Sequence, residues 1–322
     1  MIALEYYMTI ETALHAFEGE PYFLWVKNNI CLLIIFCLCV IIMKAKSLFL
    51  KDEVNLMGIT EFFSYGFVMK YLTDNASTLD GAVIFAIYTA GIIFAAIVAY
   101  LLGSLNFAII ISKKQYSQDI RAYGSNNAGM TNMMRTYGTR AAGLTLLGDA
   151  LKAVVATLIG YAVIGQLGAY VAGCACILGH IFPVFYKFKG GKGVVTTAVT
   201  ILMCNPYVFL ILIVLYVGIV ALSKYISLAS VMCMLVYPFV LAGVDSWLLP
   251  AIQIGDSDPV SGSPYAIFAL LIAVLVIYKH KENIKRLRAG TESKFVFKKS
   301  VKADEVIQND KKNTDSESSD DE

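Results

Sequence analysis

Long apolar runs separated by short basic segments are the feature that most constrains how this chain can fold. Between residues 82 and 278 these runs fall at 82–111, 141–165, 168–186, 194–204, 207–222, 226–249 and 265–278. A helix needs about 20 apolar residues to cross a bilayer, and a spanning helix satisfies its own backbone hydrogen bonds there. Hydrophobic residues make up 58% of the 322 residues and charged residues 16%. The sequence therefore predicts an all-α, polytopic transmembrane helical bundle of about seven core spans and excludes a soluble domain.

The two ends of the chain differ from this core, so three regions are predicted: 1–80, 81–295 and 296–322. The N-terminal extension holds one apolar run, 30–43, which predicts an extra span. No short apolar segment with a small-residue cleavage site opens the chain, so no signal peptide is expected. From Lys302 onward three Lys face eight Asp or Glu, a net charge of −5. This composition is typical of a disordered acidic tail.

Three polar segments, at 112–140, 187–193 and 279–292, carry most of the positive charge of the core. Even numbers of predicted spans separate them, two in the first interval and four in the second, so all three lie on one side. Basic loops beside apolar spans face the cytoplasm. We therefore predict a multi-pass protein of the cell membrane, with these segments and the C-terminus in the cytoplasm.

The first segment is dense in Gly, Asn, Ser and Thr, residues that allow close backbone approach and supply hydrogen-bond donors and acceptors. Arg121 and Arg135 add planar cations suited to phosphate. Taken alone, the segment could equally be a solvated loop.

The second segment, Lys187 to Gly193, places Gly-Gly-Lys-Gly directly before an apolar helix. Glycine N–H groups and a helix N-terminus suit an anion, with Lys192 as a mobile charge. A P-loop needs Gly at position 186, where this chain has Tyr, so nucleotide hydrolysis is not expected. A tight basic turn is the alternative.

The third segment places His280 and Asn283 three apart, on one helical face. His280 suits acid–base chemistry, although a histidine bonded to backbone is the alternative.

Asp149 and Lys152, three apart inside a span, are expected to pair with each other. The seven Cys lie in apolar runs without a CxxC pair, which indicates small buried side chains and neither a metal nor a redox site.

Together these residues resemble the bacterial acyl-phosphate:glycerol-3-phosphate acyltransferases. The likeness covers about residues 85–295 and rests on three motifs in order. The first comprises Gly103, Ser104, Asp119, Arg121, Gly124, Ser125, Asn127, Gly129, Thr131, Asn132 and Arg135. The second comprises Gly179, His180, Pro183, Val184, Phe185, Lys189, Gly190, Gly191, Lys192, Gly193 and Val194. The third comprises His280, Asn283, Ile284, Arg286, Leu287, Gly290 and Glu292, and the pair Asp149 and Lys152 matches as well.

The resemblance implies transfer of an acyl group from acyl phosphate to the 1-hydroxyl of glycerol 3-phosphate, giving lysophosphatidic acid for phospholipid synthesis. It implies no cofactor, no metal and no nucleic acid, and it allows a partner enzyme that supplies the acyl phosphate. The implied catalytic residues are His280, Asn283, Ser104 and Arg121. The implied substrate-binding residues are Ser125, Asn127, Gly129, Thr131, Asn132, Arg135, Lys189, Gly190, Gly191, Lys192 and Gly193. Glu292, Asp149 and Lys152 are implied to be structural.

Three positions depart from the family pattern: Asn126 replaces a common Gly, Met130 a common Ala, and Lys279 a common Arg.

Two other classes of protein remain possible from the sequence alone. A transporter of anionic metabolites would also show basic, Gly-rich breaks between spans. A scaffold for lipid-synthesis enzymes could keep the fold without the chemistry.

Overall fold

The computed structural model describes residues 55–248 and 265–295, with side chains from Tyr65 onward except at position 247, and every regular element in these ranges is helical. The predicted run at 30–43 and the tail at 296–322 lie outside them. The α-helices, which we number in chain order, are α1 (Asn55–Asp74), α2 (Gly81–Gly103), α3 (Phe107–Tyr116), α4 (Met130–Tyr137), α5 (Thr139–Ile181), α6 (Val194–Cys204), α7 (Pro206–Ser223), α8 (Ile226–Gly243), α9 (Ala266–Lys279) and α10 (Lys281–Arg288).

By length and composition, four segments of the described chain could each cross a membrane: Gly81–Tyr116, Thr139–Tyr186, Pro206–Ser223 and Ile226–Ser246. The helices α6 and α9 are apolar but shorter. This architecture confirms the prediction of an all-α membrane bundle, whereas the number of spans stays a prediction.

Helix α5 is a hairpin rather than one rod, because Ile164 and Gly165 have non-helical backbone angles. On either side of this bend, Ala153 and Ala156 pack with Ala172, Ala175 and neighbours in one buried cluster. These pairings place the two arms antiparallel, as the separate runs at 141–165 and 168–186 predicted. The small side chains let the helices approach closely, which is the usual basis of helix packing in membranes.

The apolar run at 82–111 is interrupted after Gly103, although Gly81–Tyr116 still counts as one candidate span. Helix α2 ends at Gly103, where a side chain would collide with the backbone of Cys176. Helix α3 then starts at a new cap, since the Asn106 side chain accepts a hydrogen bond from the Ile109 N–H at 3.1 Å. This break places the first polar segment beside the end of α5.

Helix α1 also contacts the hairpin. Its backbone is broken at Gly66, which has a φ of 69°, and a Cβ there would lie only 2.6 Å from the Gly165 nitrogen. Only glycine fits this approach. The predicted boundary between extension and core near residue 80 stays a prediction.

Candidate active site

A cavity of about 110 Å³ forms where the three polar segments meet. Its wall combines the starts of α4, α6 and α8 with the junction of α9 and α10. Asp149 and His180 of α5 and Tyr216 of α7 also reach it. The predicted site residues on this wall are Ser125, Asn127, Gly129, Thr131, Asn132, Arg135, Asp149, Lys192, Gly193, His280, Asn283 and Glu292. The structure therefore brings together residues that lie more than 160 positions apart in the chain.

The beginning of α6 supplies the cationic side of the cavity. Lys192, Gly193, Val194 and Val195 all line it, so the N–H groups of the first helical turn lie at its wall. Burial lowers the pKa of Lys192 to about 8. The nearby Glu292 carboxylate opposes this effect, while Arg286, Arg135 and Lys279 add to it. Lys192 forms no ion pair with any other described residue, so its charge is available to an anion.

The sequence predicted that the backbone N–H groups of Gly190 and Gly191 bind an anion, but in the structure these N–H groups bind carbonyls of the protein. Their N–H groups donate to the carbonyls of Ile181 and His180, both at 3.2 Å. A side chain on Gly191 would collide with the His180 imidazole and the Ala128 carbonyl. The two glycines thus seat the loop against the end of α5, and they lie off the cavity wall. Their assignment as substrate-binding residues stays a prediction.

The first segment folds around Asn132. Its Nδ2 donates to the carbonyls of Ile120 (3.2 Å) and Tyr123 (2.9 Å), and its Oδ1 accepts from the Ser125 N–H (2.9 Å). The loop thus presents the start of α4, where Gly129 and Thr131 reach the cavity. A second helix N-terminus therefore faces the same space as that of α6.

Arg135 lies on the inner side of α4. Its guanidinium donates to the carbonyl of Ser293 at 3.5 Å, and burial lowers its pKa. At this distance the bond is weak.

At the start of α10, His280 and Asn283 present two hydrogen-bond acceptors. His280 Nδ1 lies 2.7 Å from the Val276 carbonyl, which requires the proton on Nδ1 and leaves Nε2 as an acceptor. Burial lowers the pKa of His280 to about 4, so the ring is neutral at pH 7. Asn283 donates to Glu292 at 2.7 Å, while its buried Oδ1 has no partner among the described residues.

Glu292 holds this group in place. Its carboxylate accepts from Asn283, from Ser227 Oγ (2.8 Å) and from Arg286 Nε (2.8 Å). Burial acts to raise the pKa of Glu292, but these hydrogen bonds outweigh it and the pKa is lowered. The contacts are those of a structural residue.

Arg121 and Ser104, both predicted to be catalytic, lie off the cavity wall. The Arg121 fork binds Asp119 through Nε (2.9 Å) and Nη2 (2.7 Å), and its Nη1 reaches the carbonyls of Tyr186 (3.0 Å) and Lys189 (3.1 Å). This bonding raises the pKa of Arg121 and lowers that of Asp119 to about 2. Arg121 therefore joins the first segment to the second.

Ser104 is fully buried at the end of α2 and accepts a hydrogen bond from the Val184 N–H at 3.4 Å. The Lys189 side chain is exposed to solvent. For Ser104, Arg121 and Lys189, contact with substrate stays a prediction.

Asp149 and Lys152 pair as the sequence indicated, at 2.8 Å inside the α5 hairpin. Lys152 also donates to the carbonyls of Gly103 (3.0 Å) and Leu105 (2.7 Å) and lies 2.9 Å from His180 Nδ1. The buried cluster of Asp149, Lys152 and His180 therefore connects both arms of α5 to the C-terminal end of α2.

Sequence reasoning missed several cavity residues, among them Tyr216, Ser227, Ser230, Ser293 and Phe295. Ser227 and Ser230 are polar residues one turn apart at the start of an apolar helix, and this pattern could have indicated that they face a polar cavity. No sequence signal marked Tyr216 as a cavity residue, because a tyrosine in an apolar run is typical of the membrane interface.

Comparison with known proteins decides the family. The model of the glycerol-3-phosphate acyltransferase family matches residues 92–290. The chain belongs to this family. Its relatives named glycerol-3-phosphate acyltransferase include those of Thermoanaerobacter pseudethanolicus, 40% identical, and Coxiella burnetii, 39% identical. The first match covers 65% of this chain and 98% of the relative, and the second covers 63% and 97%.

Two solved structures of PlsY (YgiH), an integral membrane glycerol 3-phosphate acyltransferase, resemble this membrane enzyme. The glycerol 3-phosphate form is 35% identical with a TM-score of 0.54, and it covers 64% of this chain and 96% of that one. The lysophosphatidic acid form is 34% identical with a TM-score of 0.52, and it covers 64% and 95%.

Proposed function

We propose that this acyltransferase moves a fatty acyl group from acyl phosphate to the 1-hydroxyl of glycerol 3-phosphate, releasing lysophosphatidic acid and inorganic phosphate. One observation carries the proposal. A single cavity combines two helix N-termini and Lys192, which suit phosphate, with two neutral acceptors, which suit a hydroxyl. The two PlsY structures hold glycerol 3-phosphate and lysophosphatidic acid, the same acceptor and product.

The cationic wall suits an acyl phosphate. The N–H groups at the start of α6 and the Lys192 ammonium can stabilise the charge that grows on the departing phosphate. Arg135 and the start of α4 offer a second place for an anion, so the phosphates of donor and acceptor can be held together. Holding two reactants in register accounts for much of the rate of such a reaction.

The acceptor pair suits the attacking hydroxyl. His280 Nε2 and Asn283 Oδ1 can each accept its hydrogen bond and thus aim the oxygen at the acyl carbon. A base with a pKa of about 4 holds a proton poorly at pH 7. We therefore assign the proton to a substrate phosphate, whose second pKa is near 6.

The chemistry then needs no covalent enzyme intermediate. The hydroxyl oxygen bonds to the acyl carbon, the bond from that carbon to the phosphate oxygen breaks, and phosphate leaves with the electron pair. Among the described residues, the free thiols of Cys174, Cys176, Cys204 and Cys233 are absent from the cavity wall.

The cavity is proposed to face the cytoplasm, because its three segments are basic. Acyl phosphate would then arrive from a cytoplasmic supplier enzyme or along the membrane surface. The apolar helices around the site accommodate the acyl chain and the bilayer lipids.

The test is an assay of the purified chain with palmitoyl phosphate and glycerol 3-phosphate, with detection of lysophosphatidate. Replacing Lys192 with Ala should lower kcat/KM well over tenfold, because an unpaired buried phosphate costs about 2–5 kcal/mol. Arg121→Ala should do the same by separating the first two segments. Lys114→Ala, at an exposed lysine of α3, is the matched control and should keep wild-type kinetics.

Absence of lysophosphatidate from the wild type would overturn the proposal. Flux of glycerol 3-phosphate into liposomes without product would instead favour a transporter.

A further inference from the structure

The loop between α5 and α6 carries an exposed apolar patch. Phe185 is 55% exposed and Phe188 57%, although both aromatic rings would normally be buried. Lys187 and Lys189 flank Phe188, and their side chains are also exposed. Among the described residues, Lys187 has no ion-pair partner. The mechanism proposed above uses neither Phe185, Lys187 nor Phe188.

This loop is held in a strained shape. Lys187 and Phe188 have φ angles of 56° and 57°, in the left-handed region that costs non-glycine residues energy. Two successive residues of this kind persist only when the surrounding structure fixes them.

Two sets of hydrogen bonds fix the loop. Arg121 Nη1 bonds to the carbonyls of Tyr186 and Lys189 and thus spans the two left-handed residues. The Phe188 N–H donates to the Pro183 carbonyl at 3.0 Å. Behind them, Tyr100 of α2 donates to the Phe182 carbonyl at 2.8 Å. The fold therefore presents Lys187 and Phe188 outward on a rigid base.

The position of the loop identifies the environment that suits it. It follows directly on an apolar arm of α5 and precedes the apolar α6, so it lies where helices of the bundle leave the membrane. More positive charge surrounds it: Lys279 lies 4.9 Å from the Phe182 ring, and Lys113 lies 3.7 Å from Asp119, the partner of Arg121. Aromatic rings enter the interfacial region of a bilayer, while lysines reach lipid phosphates.

We propose that the loop tip, Lys187 and Phe188, docks on anionic lipid of the bilayer surface. Phe188 enters the headgroup region and Lys187 binds a lipid phosphate. Because the same loop continues into Lys192 and the start of α6, this docking fixes the depth of the cationic wall at the membrane surface.

The test places a tryptophan at the tip of the full-length chain, after replacing Trp25 and Trp247 with Phe. Phe188→Trp is reconstituted in vesicles of phosphatidylglycerol with brominated acyl chains, which quench fluorescence only at close range. The control is Glu282→Trp on α10, a side chain that is 56% exposed and follows His280 at the same end of the bundle.

We expect quenching of the tip tryptophan to exceed that of the control at least about twofold, because an aromatic ring in the interface lies close to the brominated chains. Adding Lys187→Gln should reduce the tip quenching in phosphatidylglycerol but leave it unchanged in phosphatidylcholine. Equally weak quenching at positions 188 and 282 would show that the tip lies in water and overturn the proposal. A blue-shifted tip emission without bromine quenching would point to a protein partner and also overturn it.

Discussion

Lys192 and His280 show how burial sets the chemistry of single residues in this enzyme. Burial lowers the pKa of both side chains, to about 8 and about 4. At pH 7 the lysine is still charged while the histidine is neutral. The same environment thus produces one cation for phosphate and one neutral acceptor for a hydroxyl.

The pKa of Lys192 predicts an alkaline limit of activity. In the proposed mechanism the protonated lysine binds phosphate, so kcat/KM should fall as the pH rises through about 8. Lys192→Arg should restore part of the activity lost in Lys192→Ala and move the limit upward, because arginine stays charged to about pH 12. The measurement is kcat/KM against pH for the wild type and the arginine variant. An alkaline limit shared unchanged by both would rule out Lys192 as its source.

Local spacing predicted the residue pairs of the site but not the contacts between segments. Asp149 with Lys152 follows from helical spacing. The hydrogen bonds of the Gly190 and Gly191 N–H groups to the end of α5 do not follow from local spacing, because they depend on how the loop packs there. The capture of Arg121 by Asp119 and by two distant carbonyls depends on the same packing.

Among the elements, the α5 hairpin determines where the site forms. Its arms meet at Gly160 and Gly168, where a side chain on either residue would collide with the backbone of the other. Hydropathy predicted both arms, since each is an apolar run of its own. It did not predict that α2 ends at Gly103, because Gly103 to Ile111 stays apolar enough to continue the run.

The hairpin contact can be tested with one added methyl group. Gly160→Ala should lower the thermal stability of the purified protein, because overpacking costs about 1–3 kcal/mol. Gly143→Ala, in the same helix, is the matched control, since nothing lies within 4 Å of its added carbon. There alanine should be neutral or stabilising by up to about 1 kcal/mol. Thermal unfolding in detergent compares the two, and an unchanged midpoint for Gly160→Ala would contradict the close approach.

In the whole molecule, the three basic segments must share one side of the membrane because they meet at one cavity. Single cysteines introduced at Ser117, Lys187 and Lys294 in a chain without its seven native cysteines should all react with an impermeant thiol reagent from the cytoplasmic side. The physical reason is that these segments line one cavity, and that basic loops beside apolar spans are generally retained in the cytoplasm. Labelling of any one site from the opposite side would separate the segments and refute the shared cavity.

The acyl donor that this enzyme accepts depends on the leaving group that its cavity can stabilise. The start of α6 and Lys192 can stabilise charge on a leaving phosphate, whereas the sulfur of a thioester would gain little from them. The measurement compares palmitoyl phosphate with palmitoyl-coenzyme A at equal concentration, with glycerol 3-phosphate as acceptor. We predict lysophosphatidate from palmitoyl phosphate alone, with inorganic phosphate released in step with it. Comparable rates from both donors would contradict the account.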